Sequence, residues 1–561
     1  MTSRPGRAAT AGRAGLIAIG VSVACTFAVA AAGPSVMEPV LPGRPGQPPW
    51  SFGLHPSPYL AVGLTAAGLA AGTLGLVLVL RAIRGGWSVP ARAVLVAGLL
   101  AATALTLVPP FGSSDHLSYA AYGRMLVTGH NPYTTTPAQL AGLADPVARA
   151  VQDWSGSPSV YGPLATAIQA LASLVGGTSV RLTVFVLGLA NLAAFAGMAL
   201  LLHWMARDRP AWQLRAALLW AANPLLLQVL VAGAHVDGLA IMFGVAAVAV
   251  MSGQGGLGGR GSLPKGGPGG WVPPASTSAL AGALVGLGFA VKVTIALVGL
   301  GLALAMVLGA GHGWRRLRGQ PRPRLFPALA GLAAGFAVTA GTAVAIGGSA
   351  MLRQSSQASD MVSIGSPWRA IRTIIHLAVT GSAATDIVKA GAVALAILLA
   401  VLLIRGLPPG GGYAAVTFAL VLAWLFAWPY VLPWYDAFGW ALLALVPLAS
   451  GGVVEALGWL LLARTAALGF GYLPARQADV TLPAGLGWLQ PVIRHGVTPA
   501  VLAAATVGLV ILMLHPRRPT PAGPVREDPL PAVPSSAPSC VLPEAGQKAP
   551  PGEAPARGAI N

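Results

Sequence analysis

The sequence predicts an all-α fold, a polytopic transmembrane helix bundle, and three observations carry that prediction. Hydrophobic residues make up 55% of the 561 positions and charged residues only 9%, where a soluble domain carries about a quarter charged residues. Apolar runs recur at close to the ~20 residues that span a bilayer core. The arginines fall in short clusters between those runs, as cytoplasmic loops do when they set topology. The net charge of +19 therefore reads as membrane topology, and no nucleic-acid partner is expected. Two cysteines, Cys25 in an apolar run and Cys540 near the C-terminus, offer neither a disulfide framework nor a metal pattern. No metal and no cofactor are expected.

The elements follow from charge and length. Arg4, Arg7 and Arg13 precede the apolar run 14–33. Ala30, Ala31 and Ala32 offer small-residue cleavage positions, but the run is longer than a signal-peptide core, which favours an uncleaved first helix. Spans 58–80 and 91–109 are joined by a loop with Arg81, Arg84 and Arg92, cytoplasmic by the positive-inside rule. The chain after 109 then lies outside, and the first large outer loop runs over 110–179. Span 180–204 returns to Arg207, Arg209 and Arg215; 213–232 goes out to "GAHVDG" (233–238), and 238–252 comes back.

Arg260 and Lys265 on one side, and the Arg315–Arg324 cluster on the other, are both cytoplasmic, so the apolar stretch 276–310 must cross an even number of times. Two short helices fit, and Lys292 falls at their outer apex. Span 326–349 leads to an outer loop at 350–385; 386–405 returns, 412–431 goes out, and "WPYVLPWYD" (428–436) turns at the outer face. Spans 434–449 and 453–471, an outer loop at 472–496, and a last span, 497–515, complete about 13–14 crossings, each near the length a bilayer requires. The membrane domain is thus 1–515. Residues 516–561, rich in Pro, Ala and Ser, are expected to form a disordered cytoplasmic tail.

In so apolar a chain the rare polar groups carry the functional signal, because an ionisable group at membrane depth is costly. Asp115, Asp145, Asp153, Asp237, Asp360, Asp386 and Asp436 all map to the outer side or its boundary. Asp145 and Asp153 read as wet loop acids, and Asp386 as a helix-start acid. Asp115 stands just past a span, ahead of "HLSYAAYGRML", which fits a short interfacial helix. It is either that helix's N-cap or a catalytic carboxylate, and Arg124 is a cation for an anionic lipid head.

His235 and Asp237 bracket another outer turn, as interfacial filler or as ligand-orienting groups. Lys292 is either a snorkelling lysine or a phosphate partner. "SPWRAIRTIIHL" (366–377) puts Arg369 and Arg372 on the outer side against the charge rule, which suggests an anionic lipid ligand. Trp434 and Tyr435 suit an aromatic belt or a platform for a sugar ring. No credible P-loop, dinucleotide or zinc-protease motif occurs.

"SDHLSYAAYGRMLVTGHNPY", "SVYGPLA", "NPLLLQVLVAGAHVDGLAI", "GFAVKVT" and "LPWYDAF" occur in this order. Together they resemble the actinobacterial polyprenol-phosphate-mannose-dependent α-(1→6)-mannopyranosyltransferases, integral membrane enzymes of the GT-C class. The resemblance covers about 110–440. It implies Asp115 as the base; given such a donor, the outer cations Lys292, Arg369, Arg372 and Arg124 read as the donor-phosphate set. Tyr119, Asn131, Tyr161, His235, Asp237, Trp434 and Tyr435 would bind substrate.

The implied donor is a polyprenyl-phosphate mannose. The implied acceptor is a mannan-bearing glycolipid of the phosphatidylinositol type, at the outer face of the plasma membrane, in lipomannan and lipoarabinomannan core synthesis. Two alternatives stay open: a flippase or transporter of a lipid-linked sugar, and a GT-C enzyme for another polyprenyl-phosphate sugar such as arabinofuranose.

Overall fold

The computed structural model describes residues 5–253, 272–309, 324–379, 382–407, 412–447, 452–474 and 482–515. The expected Pro-rich tail, 516–561, and most of the glycine-rich and arginine-rich loops lie outside these residues. Among the described residues the fold is all-helical, without a named strand. Eight of the described helices are long and apolar enough to cross a membrane, among them Pro58–Arg84, Val180–Met205 and Ala383–Gly406. Shorter apolar helices join them: Ala91–Leu107, Pro163–Gly176, Asp237–Met251, Ala275–Phe289, Val293–Leu308 and Gly412–Ala427. The chain is a multi-pass membrane protein.

Small residues let these helices approach, as expected where lipid gives no hydrophobic push between them. Pro5–Ala32 lies along Pro58–Arg84 with Gly15 facing Gly75, where an added Cβ on Gly75 would come 2.9 Å from the Gly15 carbonyl. Burial follows the same logic at polar points. Arg464 Nε donates to Asp436 Oδ1 at 2.9 Å, and Thr465 Oγ1 donates to Oδ2 at 2.8 Å. This nearly dry pair ties Asp436–Leu443 to Val453–Gly471.

The ends of the bundle differ. Arg84 pairs with Glu455 at 2.6 Å, and Arg215 caps the carbonyl of Val446 at 2.9 Å, at one end. Ala91–Leu107 runs from that end to the opposite one, where Asp115 follows.

Two stretches differ from the sequence reading. The outer loop expected at 350–385 is largely helical. Leu325–Ser359 continues beyond a break at Gly348 (φ 69°), and Pro367–Ile375 follows it. Gly348 adopts a positive φ open to glycine, which kinks the chain and separates two helices within this range. Loop 110–179 contains a further apolar helix, Pro163–Gly176, hidden from a span search by its length. As expected, 276–310 breaks into two helices, with Lys292 in the turn between them.

Candidate active site

Asp115 owes its position to a firmly held approach segment. Phe111 N–H donates to the Ala232 carbonyl at 3.0 Å, and Gly112 N–H to that of Met37 at 2.7 Å. Ser114 occupies the N-cap position of Asp115–Val127, and Ser113 Oγ accepts from the Asp115 N–H at 3.2 Å. The Asp115 side chain is therefore not the cap. Its Oδ1 accepts from Trp154 Nε1 at 3.2 Å, and its Oδ2 lies 3.6 Å from His235 Nδ1.

The helix carrying Asp115 is more enclosed than one lying among headgroups. His116, Leu117, Tyr119, Ala120, Ala121 and Met125 are all buried. Gly123 makes this enclosure possible, since a Cβ there would fall 2.1 Å from the Gln169 carbonyl of Pro163–Gly176. At its far end Arg124 Nε donates to Asp145 Oδ2 at 2.8 Å, while Asp145 Oδ1 caps Pro146–Arg149 through the N–H groups of Val147 and Ala148.

His235 arrives from the other side. The preceding segment, Leu227–Ala232, is wound as a π-helix, and His235 N–H reaches the Leu230 carbonyl, five residues back, at 3.0 Å. Such widened turns are frequent at functional sites. Ala234 takes φ 53°, an uncommon conformation for a residue with a Cβ. The imidazole stacks on Trp434 at 3.5 Å and 16°. Its Nδ1 lies 3.4 Å from Tyr119 Oη, which in turn accepts from Tyr161 Oη at 3.2 Å.

Lys292 completes the group. Its Nζ sits 2.6 Å from Asp237 Oδ1 and 4.1 Å from the centre of the Tyr435 ring. Gly162 N–H donates to the Val291 carbonyl at 3.0 Å, so the Tyr161 loop and the Lys292 turn are pinned together.

These side chains face one cavity at the Asp115 end of the bundle. Asp115, Tyr119, Tyr161, Lys292, Trp434 and Tyr435 line it, with Trp154, Trp424, Trp428 and Tyr430 supplying further aromatic wall. Burial pushes the Asp115 carboxyl up to about 6, with the Trp154 hydrogen bond and the Lys292 charge pulling the other way. Burial, helped by the Lys292 charge, holds His235 well below the usual imidazole range, so the ring is neutral. Burial also raises Tyr119 and Tyr161 well above the ordinary phenol range, so they remain hydroxyl donors. A carboxylate that ionises near neutrality can take a proton in the same cavity where a fixed ammonium can receive a developing anion.

The structure thus brings Asp115, Tyr119, Tyr161, His235, Asp237, Lys292, Trp434 and Tyr435 together. Asp237 does so by holding Lys292. Arg372 lines an adjoining cavity, and Arg369 lines neither that cavity nor the aromatic one. Two of the expected residues stand apart from these cavities. Arg124 is tied to Asp145 and lines neither cavity, so its charge serves the loop's own packing. Asn131 Oδ1 accepts from Tyr133 N–H at 2.9 Å, a turn bond outside the aromatic cavity.

Among the cavity-lining residues that escaped the sequence reading are Trp154 and Arg494. Trp154 takes φ 62°, which no sequence signal announces. Arg494 is an arginine in a segment expected outside, the same exception to the charge rule that singled out Arg369 and Arg372.

Fold and site together define a polytopic helical membrane protein with a carboxylate–ammonium cavity at one end of its bundle. The family described as "Alpha-(1->6)-mannopyranosyltransferase, N-terminal domain" matches residues 13–309, more than half of the chain. The chain belongs to that family. Similar proteins include Alpha-(1->6)-mannopyranosyltransferase B of Corynebacterium glutamicum, 29% identical over 191 residues, 34% of this chain and 30% of that protein. A probable alpha-(1->6)-mannopyranosyltransferase of Mycolicibacterium smegmatis is 33% identical over 141 residues, 24% of each chain. An alpha-(1->6)-mannopyranosyltransferase of Mycobacterium tuberculosis is 33% identical over the same length, 24% of this chain and 23% of that one. The alignments span less than a third of each of these relatives.

Proposed function

We propose that this chain is an inverting α-(1→6)-mannosyltransferase. It moves mannose from polyprenyl-phosphate mannose to an α-(1→6)-mannan acceptor carried on a phosphatidylinositol-type glycolipid. The active end of the bundle faces outward from the plasma membrane, and the product belongs to the lipomannan and lipoarabinomannan core. The observation that carries the reading is that Asp115 and Lys292 line one aromatic cavity at one end of the bundle, in a chain of this family.

The acceptor's 6-hydroxyl oxygen attacks the anomeric carbon as Asp115 takes its proton. The new C–O bond forms while the bond from that carbon to the phosphate oxygen breaks. The polyprenyl phosphate leaves with the electron pair, and Lys292 meets its negative charge. One displacement turns a β-linked donor into an α product and needs one base, unlike the paired carboxylates of glycosidases. General-base help of this kind contributes roughly 10²–10⁴ in rate. Trp154 holds Asp115 Oδ1, and His235 Nδ1, itself 3.4 Å from Tyr119 Oη, stands 3.6 Å from Oδ2. Trp434 and Tyr435 supply apolar faces for the sugar ring.

The test is mannose transfer from radiolabelled polyprenyl-phosphate mannose to a synthetic α-(1→6)-dimannoside. Membranes would carry wild type or Asp115→Asn at matched protein levels. Transfer by wild type, with at least about a hundredfold loss in the variant, supports reaction and base together. Transfer by both keeps the enzyme and removes Asp115 as base. Failure of wild type with competent substrates turns the reading toward another polyprenyl-phosphate sugar, such as arabinofuranose, or toward a lipid-linked sugar flippase.

A further inference from the structure

Asp115 has two faces. One looks into the aromatic cavity with Lys292. The other closes a second, polar cavity of about 220 Å³, lined by Ser113, Ser114, Asp153, Tyr472 and Arg494, with Trp154 as the remaining shared wall. The ionisable groups divide between them: Lys292 lines only the aromatic cavity, Asp153 and Arg494 only the polar side.

Arg494 belongs to Leu489–Val497, a π-helical segment in which Thr498 N–H reaches the Ile493 carbonyl five residues back. Such segments favour functional sites, and this one lies beyond the part of the chain that the family match covers. The guanidinium sits 5.1 Å over the Tyr472 ring, and no carboxylate ion pair of Arg494 occurs among the described residues. Asp153 accepts from Ser114 Oγ, which fixes its carboxylate at the mouth of the Asp115 helix.

We propose that this polar cavity is the acceptor-sugar subsite, with Arg494 and Asp153 as its specificity-determining residues; the proposal rests on the transferase reading above. A displacement requires the incoming hydroxyl and the leaving phosphate on opposite sides of the anomeric carbon. A base shared between two cavities meets that requirement, with donor on the Lys292 side and acceptor on the Arg494 side. The chemistry of the lining fits a polyhydroxylated ring. A guanidinium fork donates to two neighbouring hydroxyl oxygens, a carboxylate accepts from hydroxyls, and Tyr472 offers an aromatic face. Arg494 also lines the adjoining cavity of about 350 Å³ that contains Arg372. That continuation gives the next unit of a linked acceptor a place to lie.

The experiment is steady-state transfer by the full chain in detergent, with polyprenyl-phosphate mannose and an α-(1→6)-dimannoside varied independently. Wild type, Arg494→Gln, Arg494→Lys and Asp153→Asn are compared. Acceptor-independent hydrolysis of the donor is followed in parallel. Arg494→Gln and Asp153→Asn should raise the acceptor KM at least about tenfold, the scale of one lost polar contact. Donor KM and donor hydrolysis should stay within about twofold, which also shows that the variants fold. Arg494→Lys, with charge but no fork, should fall between.

An unchanged acceptor KM overturns the subsite while leaving the transferase reading intact. A rise in donor KM instead of acceptor KM overturns it too, and moves Arg494 to the lipid phosphate. A wild type that transfers nothing overturns the underlying reading, and the subsite with it.

Discussion

Lys292 Nζ lies 2.6 Å from Asp237 Oδ1 while facing the Tyr435 ring at 4.1 Å. The two residues come from different parts of the chain, Asp237 opening the helix Asp237–Met251 and Lys292 closing the turn after Ala275–Phe289. A lysine on a flexible stem is a loose point charge; the carboxylate and the ring fix this one toward the cavity. A charge that needs no reorganisation when an anion develops is the more effective catalyst.

Lys292→Gln should therefore lower kcat for mannose transfer by roughly 10²–10³, the usual cost of removing one preorganised stabilising group. Asp237→Asn keeps the cation and loosens it. It should cost kcat about tenfold, with donor KM little changed, because misplacement acts on the transition state more than on ground-state binding. Steady-state kinetics with matched protein levels separates the two. Equal losses in both variants would make Asp237 more than a tether.

The Asp115 carboxyl, pushed up to about 6 by burial, sets a pH dependence. The base works only when ionised. The kcat/KM for transfer should hold a plateau above the pKa and fall as pH drops through about 6, with a slope of one proton. His235 stays neutral over that range and adds no limb of its own. The Trp154 indole stabilises the ionised form, so Trp154→Phe should move the limb to higher pH. A limb that does not move would mean that Trp154 shapes the cavity without tuning the base.

Much of this site was legible in the sequence because acids are scarce. Asp115, Asp237 and Lys292 stood out against long apolar runs, and counting arginine clusters put them at one end. His235 and the Trp434–Tyr435 pair stood out by position in outer turns. What stayed hidden was pairing. Nothing in the local pattern says that Arg124 will find Asp145, or that Asp237 will find Lys292, since both pairings depend on tertiary packing.

Trp154 was hidden for a backbone reason: its position depends on a left-handed φ at a residue that rarely adopts one. Helix Pro163–Gly176 was hidden by length, because 14 residues fall short of the ~17 that a span search seeks. Arg494 was legible in principle, since the exception to the charge rule that marked Arg372 marks it equally.

The close approach at Gly123 positions the Asp115 helix, so it should respond to a single methyl group. A Cβ there would sit 2.1 Å from the Gln169 carbonyl, and a backbone atom inside a packed helix pair cannot step aside. Gly123→Ala should cost about 1–3 kcal/mol, as overpacked positions do. It should also lower transfer activity, by displacing the helix that aims Asp115. Thermal unfolding in detergent, alongside the transfer assay, checks both. Unchanged stability would show that the two helices separate easily and do not fix the base.

The pair Asp436–Arg464 gives the sharpest test of what holds the bundle near the site. Asp436 is fully buried and Arg464 is 3% exposed. Removing one partner strands a charge where water cannot reach it. Arg464→Leu should therefore lower stability by about 3–5 kcal/mol, the usual cost of breaking a buried pair. Asp436→Leu alone should cost a similar amount, by stranding the guanidinium instead.

The double variant Asp436→Leu, Arg464→Leu removes both charges together with their desolvation cost. It should recover most of the loss, since apolar replacement of a whole buried pair is often neutral. Apparent melting temperatures of the four proteins in one detergent form the cycle. Single variants as stable as wild type would mean that water or lipid headgroups reach the pair, and that the contact between Asp436–Leu443 and Val453–Gly471 rests on apolar packing alone. Losses that simply add in the double variant would show that the two charges act separately, Asp436 through Thr465 and Arg464 through its 5.5 Å approach to the Phe426 ring.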